Sequence, residues 1–321
     1  MTRRGTNVMM RIAIAGAGGF AAMLTHELSQ GANAVLVLSS QSHPEFETNY
    51  YCQVAVVDYT NLDNLQYTLQ GVDLVISTIS GVEQLNLIDA ARRARVKCFV
   101  PSEFEGSLSH RPPANNDPFD NGSSTALEQL RRWESSSRYP MKYTVFSCGI
   151  FYERFAPGGL REYNMGASCQ VQEQGDYMIN VGYAKADIPD TTPEGRSVQV
   201  VMTSARDVAR FVAAAVDLNI DNWPREFKMR GTRLTPQRIQ ELCSEVRQVQ
   251  FQVTTWPYQD LVSWLQYYEQ HQHDAQRRFM EHLVQTANGR YDFRDANLND
   301  MVDVQPIRFR QWLETHWGPA Q

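Results

Sequence analysis

The sequence predicts an α/β protein: a doubly wound parallel sheet with a second, smaller C-terminal α+β domain. Three observations predict it. The strand-like segments of the first half are apolar throughout instead of alternating, as strands buried on both faces must be. Helix-like segments separate them in turn, the order of strand, crossover and parallel strand. A glycine-rich turn, Gly16-Ala17-Gly18-Gly19, joins the first strand to the first helix.

The elements follow in order. Residues 11–15 read as the first strand and 20–30 as a helix that stops at Gly31. Strands are expected at 34–38, 53–57, 73–77 and 97–100, the last stopped by Pro101. Helices are expected at 62–69, closed by Gly71, and at 83–93. A polar loop rich in Pro, Asn and Asp covers about 108–122. A helix at 124–135 and a sixth strand at 143–147 complete the alternation. Beyond Phe155 the order changes. Residues 198–202 read as a strand, and Ser204 with Asp207 three residues on forms a capping-box arrangement before an apolar-striped helix. Helices are expected at 236–246, 258–271, 275–286 and 309–315. These assignments predict a dinucleotide-binding domain at 9–156, with 196–218 returning to it, and a substrate domain at 157–195 and 219–321.

Composition excludes several classes. Hydrophobic residues make up 42% and charged residues 21%, so wholesale disorder is not expected. A net charge of −6 argues against a nucleic-acid partner. The cysteines, Cys52, Cys98, Cys148, Cys169 and Cys243, form no C-x-x-C pair, which suits a reducing compartment and neither a disulfide framework nor a zinc site. Arg3-Arg4 and the apolar run from Val8 to Leu24 mimic a secretory signal, but Arg11 interrupts the run. No stretch is long and apolar enough for a membrane span. The expected location is the cytoplasm, and no metal is expected.

Gly16-x-x-Gly19-x-x-Ala22 follows a strand and opens a helix. Gly16 permits a tight turn, Gly18 and Gly19 admit a diphosphate close to the backbone, and Ala22 lets helix and strand pack closely. The positive end of the helix dipole then meets the phosphate charge. The second strand runs into Ser39-Ser40-Gln41-Ser42-His43 with no Asp or Glu to accept from a ribose. Its absence, with hydroxyls at Ser39, Ser40 and Ser42, favours NADP(H) over NAD(H). Asp58 is placed toward the adenine, and Ser77, Thr78 and Ser80 on the inner wall, because ligands sit at the carboxyl ends of such strands.

The chain resembles the NmrA-like and isoflavone-reductase-like families, atypical short-chain dehydrogenases. The resemblance is carried by Gly16-Ala17-Gly18-Gly19-Phe20, by Val96 to Phe104 with its Pro101-Ser102-Glu103-Phe104, and by Arg131-Arg132. Thr144 to Phe151, including Cys148-Gly149, and Ala205-Arg206-Asp207-Val208-Ala209 extend it. It implies NADP(H), a hydride transfer, a bulky aromatic or polycyclic small-molecule substrate, and a cleft between the two domains. Phe20, Ser102, Cys148 and Gly149 join the cofactor-contacting residues on this ground.

Hydride transfer to a carbonyl or enone needs a proton partner. None of the four lysines closes a Tyr-x-x-x-Lys pair, and Thr125 to Leu130 lacks the helical lysine that the family places before its paired arginines. The substitutes are Tyr152 and Glu153 after the sixth strand, Ser102 and Glu103 after the fifth, and His110 in the polar loop. Glu269, His271, His273, Asp274, Glu281 and His282 are dense in ligand types, but a solvated helix face explains them better than a metal. Trp256, Tyr258, Trp264, Tyr267 and Tyr268 suit either a cleft for a planar ligand or packing of the small domain. An NADP(H)-dependent oxidoreductase tailoring a specialised metabolite is the leading reading. A cyclase, isomerase or pericyclase on the same scaffold, or an NADP-sensing regulatory binding protein, are the alternatives, and the oligomeric state stays open.

Overall fold

The computed structural model describes residues 9–167 and 171–318; Arg3, Arg4, Val8 and Cys169 lie outside the described residues. The chain forms two compact units. One holds the chain to Glu103, Asp120–Phe146 and Ala209–Phe227; the other holds Phe104–Phe119, Ser147–Val208 and the chain from Lys228.

The first unit is a sheet with helices. Its strands are β1 (Arg11–Ala15), β2 (Ala34–Ser39), β3 (Gln53–Val56), β4 (Leu74–Ser77), β5 (Cys98–Val100) and β6 (Lys142–Tyr143). Between them run α1 (Gly19–Ser29), α2 (Pro44–Tyr50), α3 (Leu62–Thr68), α4 (Gly81–Arg93) and α5 (Ser123–Glu134). All pairings are parallel, in the order β3-β2-β1-β4-β5-β6. Ile14 stands between Val37 and Ile76, and Ile12 to Ala15 are wholly buried, which is why these strands read as unbroken apolar runs. The order reverses direction at β1 and β4. That is the switch point at which doubly wound sheets bind ligands.

Two expectations need correction. The stretch between β2 and β3, for which no helix is expected, contains α2. Pro44 at its first turn fixes φ, Glu45 and Glu47 complement the dipole, and Phe46 is its buried anchor against Val37 and Cys52. The sixth strand divides at Thr144. Lys142–Tyr143 continues the main sheet, while β7 (Val145–Ser147) pairs instead with Glu226–Lys228. The Thr144 amide donates to Phe99 O at 3.1 Å, its hydroxyl to Pro224 O at 2.8 Å, and the next amide, Val145, to Arg225 O at 2.9 Å. An apolar run cannot reveal that its hydrogen bonds change partner midway.

The second unit is α+β. It contains β8 (Ile150–Phe151), β9 (Ile179–Asn180), β10 (Lys185–Pro189), β11 (Val200–Thr203) and the start of α6 (Ala205–Val216). After β12 (Glu226–Lys228) come β13 (Thr232–Leu234), α7 (Pro236–Arg247), β14 (Gln252–Trp256), α8 (Tyr258–Gln270), α9 (Asp274–Ala287), α10 (Asn297–Met301) and α11 (Phe309–Trp317). The strands form three-stranded sheets in the orders β14-β10-β9 and β13-β11-β8. Ser204 Oγ accepts from the Asp207 amide at 3.0 Å, the capping contact its spacing predicts. Among the described residues no helix is long and apolar enough to cross a membrane.

Gly149 shows how tightly this unit closes. Its φ is +73°, and a β-carbon there would stand 1.9 Å from Val201 O on the neighbouring strand. Gly149→Ala is therefore expected to cost about 2–5 kcal/mol. Urea unfolding checks it, and an unchanged midpoint would contradict the close approach.

Candidate cofactor turn and a buried polar cluster

The turn after β1 is held from both sides. The Thr78 amide and hydroxyl both donate to Ala15 O at 2.8 Å, and the Gly16 amide donates to Leu38 O at 2.9 Å. The buried Tyr59 hydroxyl donates to the same Leu38 carbonyl at 2.9 Å. Gly16 has φ +107°, and a β-carbon there would lie 2.3 Å from Thr78 Oγ1. Only glycine satisfies both the conformation and the space. Gly18 caps α1 with no side-chain cap bond, and no acid stands in the first helical turn. The helix thus presents backbone donors and its positive dipole end with no carboxylate competing for them. A cradle that a β-carbon would fill, opening onto a helix N-terminus, fits a dinucleotide's diphosphate.

The other residues expected around this turn stand at or just past strand ends. Ser39 is buried and accepts from the Gln41 amide at 3.2 Å, while Ser40 is exposed. Asp58 accepts from the Thr60 amide and hydroxyl at 2.8 and 2.7 Å, and these bonds hold its carboxyl below the usual range. Ser77 Oγ donates to Ile79 O at 3.1 Å. Ser80 caps α4 and accepts from Asn121 Nδ2 at 3.3 Å. The Ser102 amide donates to the buried Gln84 at 2.7 Å, Glu103 beside it is buried, and Phe20 turns its ring into the core.

The remaining candidates lie in the second unit. Cys148 is fully buried and burial pushes its thiol up; its amide and that of Gly149 donate to Glu105 O at 2.9 and 3.1 Å. Tyr152 is packed against Phe309 and Trp312, with its hydroxyl 2.8 Å from Thr232 Oγ1 and donating to Ile307 O at 3.2 Å. Glu153 accepts the Ala205 amide, the first of α6, on both oxygens at 3.1 and 2.9 Å. Burial pushes its carboxyl up to about 7 although those bonds favour the charged form. His110 is exposed on a short 3-10 turn.

A cluster the sequence reading did not find surrounds Arg290. This arginine is 1% exposed and donates to Glu105 at 2.8 and 3.3 Å and to Asp117 at 2.7 Å. Arg111 Nε lies 3.1 Å from Glu105. Burial opposes ionisation of Glu105, but Arg111 and Arg290 outweigh it and hold the carboxyl below its usual range. The polar loop is thereby tied to the segment after α9. Phe119 stacks on His282 at 4.2 Å. His282 is 5% exposed, which corrects its assignment to a solvated face. It shares a face of α9 with Thr286, whose hydroxyl donates to His282 O at 2.7 Å, whereas Glu269, His271, His273 and Asp274 are exposed. Among the described residues no group of His, Cys, Asp and Glu is placed to hold a metal ion. The only advance signal for this cluster was Gly289 before Arg290, a helix stop at φ +82° that turns the chain inward. The aromatics of α8 contact one another, with Trp264 at 5.4 and 5.5 Å from Tyr267 and Tyr268.

The parallel sheet, its switch point and the glycine turn together define a Rossmann-type α/β protein. More particularly, the chain belongs to the NmrA-like family, whose profile matches residues 10–303. Oxidoreductase BOA1 of Botryotinia fuckeliana is 28% identical over 239 residues, 70% of this chain and 72% of that protein. A leucoanthocyanidin reductase from Vitis vinifera, solved in binary complex with NADPH, superposes with a TM-score of 0.68 at 14% identity over 96% of this chain and 99% of its own. A nucleoside-diphosphate-sugar epimerase from Staphylococcus aureus gives 0.68 at 16% identity, over 95% and 100%. At such identities the structural likenesses speak to the fold alone.

Glu153 yields a pH prediction. Its folded pKa of about 7 lies above the ordinary 4.5, so folding favours the protonated form. That stabilisation is complete below about 4.5 and is lost as pH rises through 7, amounting to about 3 kcal/mol. Glu153→Gln lacks this titration, so its stability relative to the parent is expected to rise between pH 5 and pH 8. Urea unfolding at both values checks this, and a pH-independent difference would refute it.

Proposed function

We propose that this protein is an NADP(H)-dependent oxidoreductase that acts on a bulky, aromatic or polycyclic small molecule of specialised metabolism, in the cytoplasm. One observation carries the reading: the Gly16 cradle, sterically closed to any side chain, stands at the sheet's switch point before an acid-free helix N-terminus. Family membership, an oxidoreductase among the relatives and an NADPH-bound structural neighbour support it.

The amides that open α1 hold the diphosphate, with Gly18 and Gly19 leaving room for it. Ser40 and Ser42, exposed after β2, receive the 2′-phosphate, and Glu45 in the next turn is engaged by His43 Nδ1 at 2.7 Å. When bound, NADPH supplies a hydride. The accompanying proton is assigned to Glu103, a carboxyl buried at the carboxyl end of β5. Tyr152 and Glu153 are committed to packing and helix capping and serve the fold.

NADPH absorbance is expected to fall on mixing with a suitable aromatic enone or ketone. Gly19→Asp puts a carboxylate where the diphosphate binds and is expected to weaken NADPH at least about tenfold. The same acid favours a helix start, so stability should be kept. Unchanged calorimetric affinity in Gly19→Asp would overturn the cofactor assignment. Separately, Glu103→Gln is expected to lower kcat with NADPH affinity unchanged; full kcat would move the proton role elsewhere.

A further inference from the structure

The helices that lead into the last two strands of the main sheet both end on arginines. Arg92 and Arg93 lie in the last turn of α4, Arg131 and Arg132 in the last turn of α5. Arg95 and Arg138 follow in the turns beyond them. Two aromatic rings gather these side chains. The guanidinium of Arg92 lies 3.9 Å and that of Arg132 4.9 Å from the centre of Trp133. Those of Arg95 and Arg138 lie 4.2 and 5.4 Å from the centre of Tyr139. Hydrogen bonds fix the arrangement: Arg92 Nη2 donates to Arg138 O at 3.2 Å, and Arg95 Nη2 to the Tyr139 hydroxyl at 2.9 Å. All six arginines except Arg92 are exposed.

Carboxylates do not match this charge. Among the described residues none of the six arginines forms an ion pair, and most of the nearby acids are engaged elsewhere. Glu134 pairs with Arg225 at 2.6 Å, Asp73 with Lys97 at 2.9 Å, and Asp89 accepts from Gln129 Nε2 at 2.9 Å. Subtracting Asp89, the exposed Glu128 and about half a negative charge at each helix C-terminus leaves about three positive charges unmatched. The chain as a whole carries −6, so this face stands out against it. It also stands apart from the cofactor turn. α4 leads into the amino end of β5 and α5 into that of β6, whereas the Gly16 turn follows the carboxyl end of β1 in the same parallel sheet.

We propose that this arginine face is a docking surface for an acidic segment of a partner protein, rich in Asp and Glu. A guanidinium stacked on a ring keeps its N–H donors at the edge, as a planar fork that a carboxylate accepts in pairs. The charge is spread over two helix ends and the turns after them, so its complement is a run of several anions, not a single one. The rings argue against the two other polyanions. Trp133 is half-buried, and guanidiniums engage both Trp133 and Tyr139. Neither ring is placed to enter a bilayer or to stack on a nucleobase. Docking at this end of the sheet leaves the cofactor turn open.

The test titrates the full-length protein with fluorescein-labelled octaglutamate and octaglutamine, read by anisotropy. The parent is expected to bind octaglutamate at least about tenfold more tightly than octaglutamine, and to lose that preference as salt is raised. The double variant Arg132→Gln with Arg138→Gln is expected to weaken octaglutamate at least about tenfold. A second pair, Arg93→Gln with Arg131→Gln, removes charge without touching either ring stack and is expected to weaken it in the same direction. Arg196→Gln, on an exposed loop of the other unit, is expected to change nothing. Equal binding of the two peptides by the parent, undiminished octaglutamate binding in both double variants, or an equal loss in Arg196→Gln would each overturn the proposal. So would tighter binding to vesicles of equimolar phosphatidylcholine and phosphatidylserine, or to octathymidylate, than to octaglutamate. Displacement of octaglutamate by NADPH would also overturn it, by placing the peptide at the cofactor turn. Failure of NADPH to bind the parent would instead count against the cofactor reading alone.

Discussion

Thr78 and Gly16 exclude any β-carbon between them: one at Gly16 would stand 2.3 Å from the threonine hydroxyl. That hydroxyl is not free to move aside, since it and its own amide both hold Ala15 O. The first strand and the fourth are thus locked together at the point where the sheet reverses its order. The chain leaves β1 in a conformation open to glycine and enters α1 with its first amides facing outward from the strand ends. The serines, Asp58 and Glu103 derive their places from this, because each follows a strand whose register is set by β1 or by a neighbour of β1.

The second unit answers to a different constraint, the pairing of buried charge. Arg290 joins Glu105 and Asp117, residues more than 170 positions away in sequence, in surroundings that would tolerate none of them alone. Tyr152 and Glu153, which carry catalytic residue types, spend their polar atoms on Thr232, Ile307 and the first amide of α6. Burial has already shifted Glu153 toward neutrality.

Legibility followed the range of the interaction. The main-sheet strands showed in the sequence because burial on both faces leaves one kind of residue, and the glycine turn showed because sterics leave one residue. The break at Thr144 did not show, since Val145 is as apolar as its predecessors would require and only the partner changes. Helix α2 was hidden by its brevity and its single buried residue, Phe46. His282 was grouped with exposed neighbours by composition, although its place on α9 sets it on the packed face. Arg290 gave no signal beyond the helix stop at Gly289 just before it, because nothing local distinguishes a buried arginine from a solvated one.

Backbone amide chemical shifts during an NADP titration test the central claim most directly. The largest changes are expected at Gly18, Gly19 and Phe20, saturating together, with smaller ones at Ser40 and Ser77. Saturable binding that leaves those three amides unmoved and perturbs residues away from the strand ends would contradict the account.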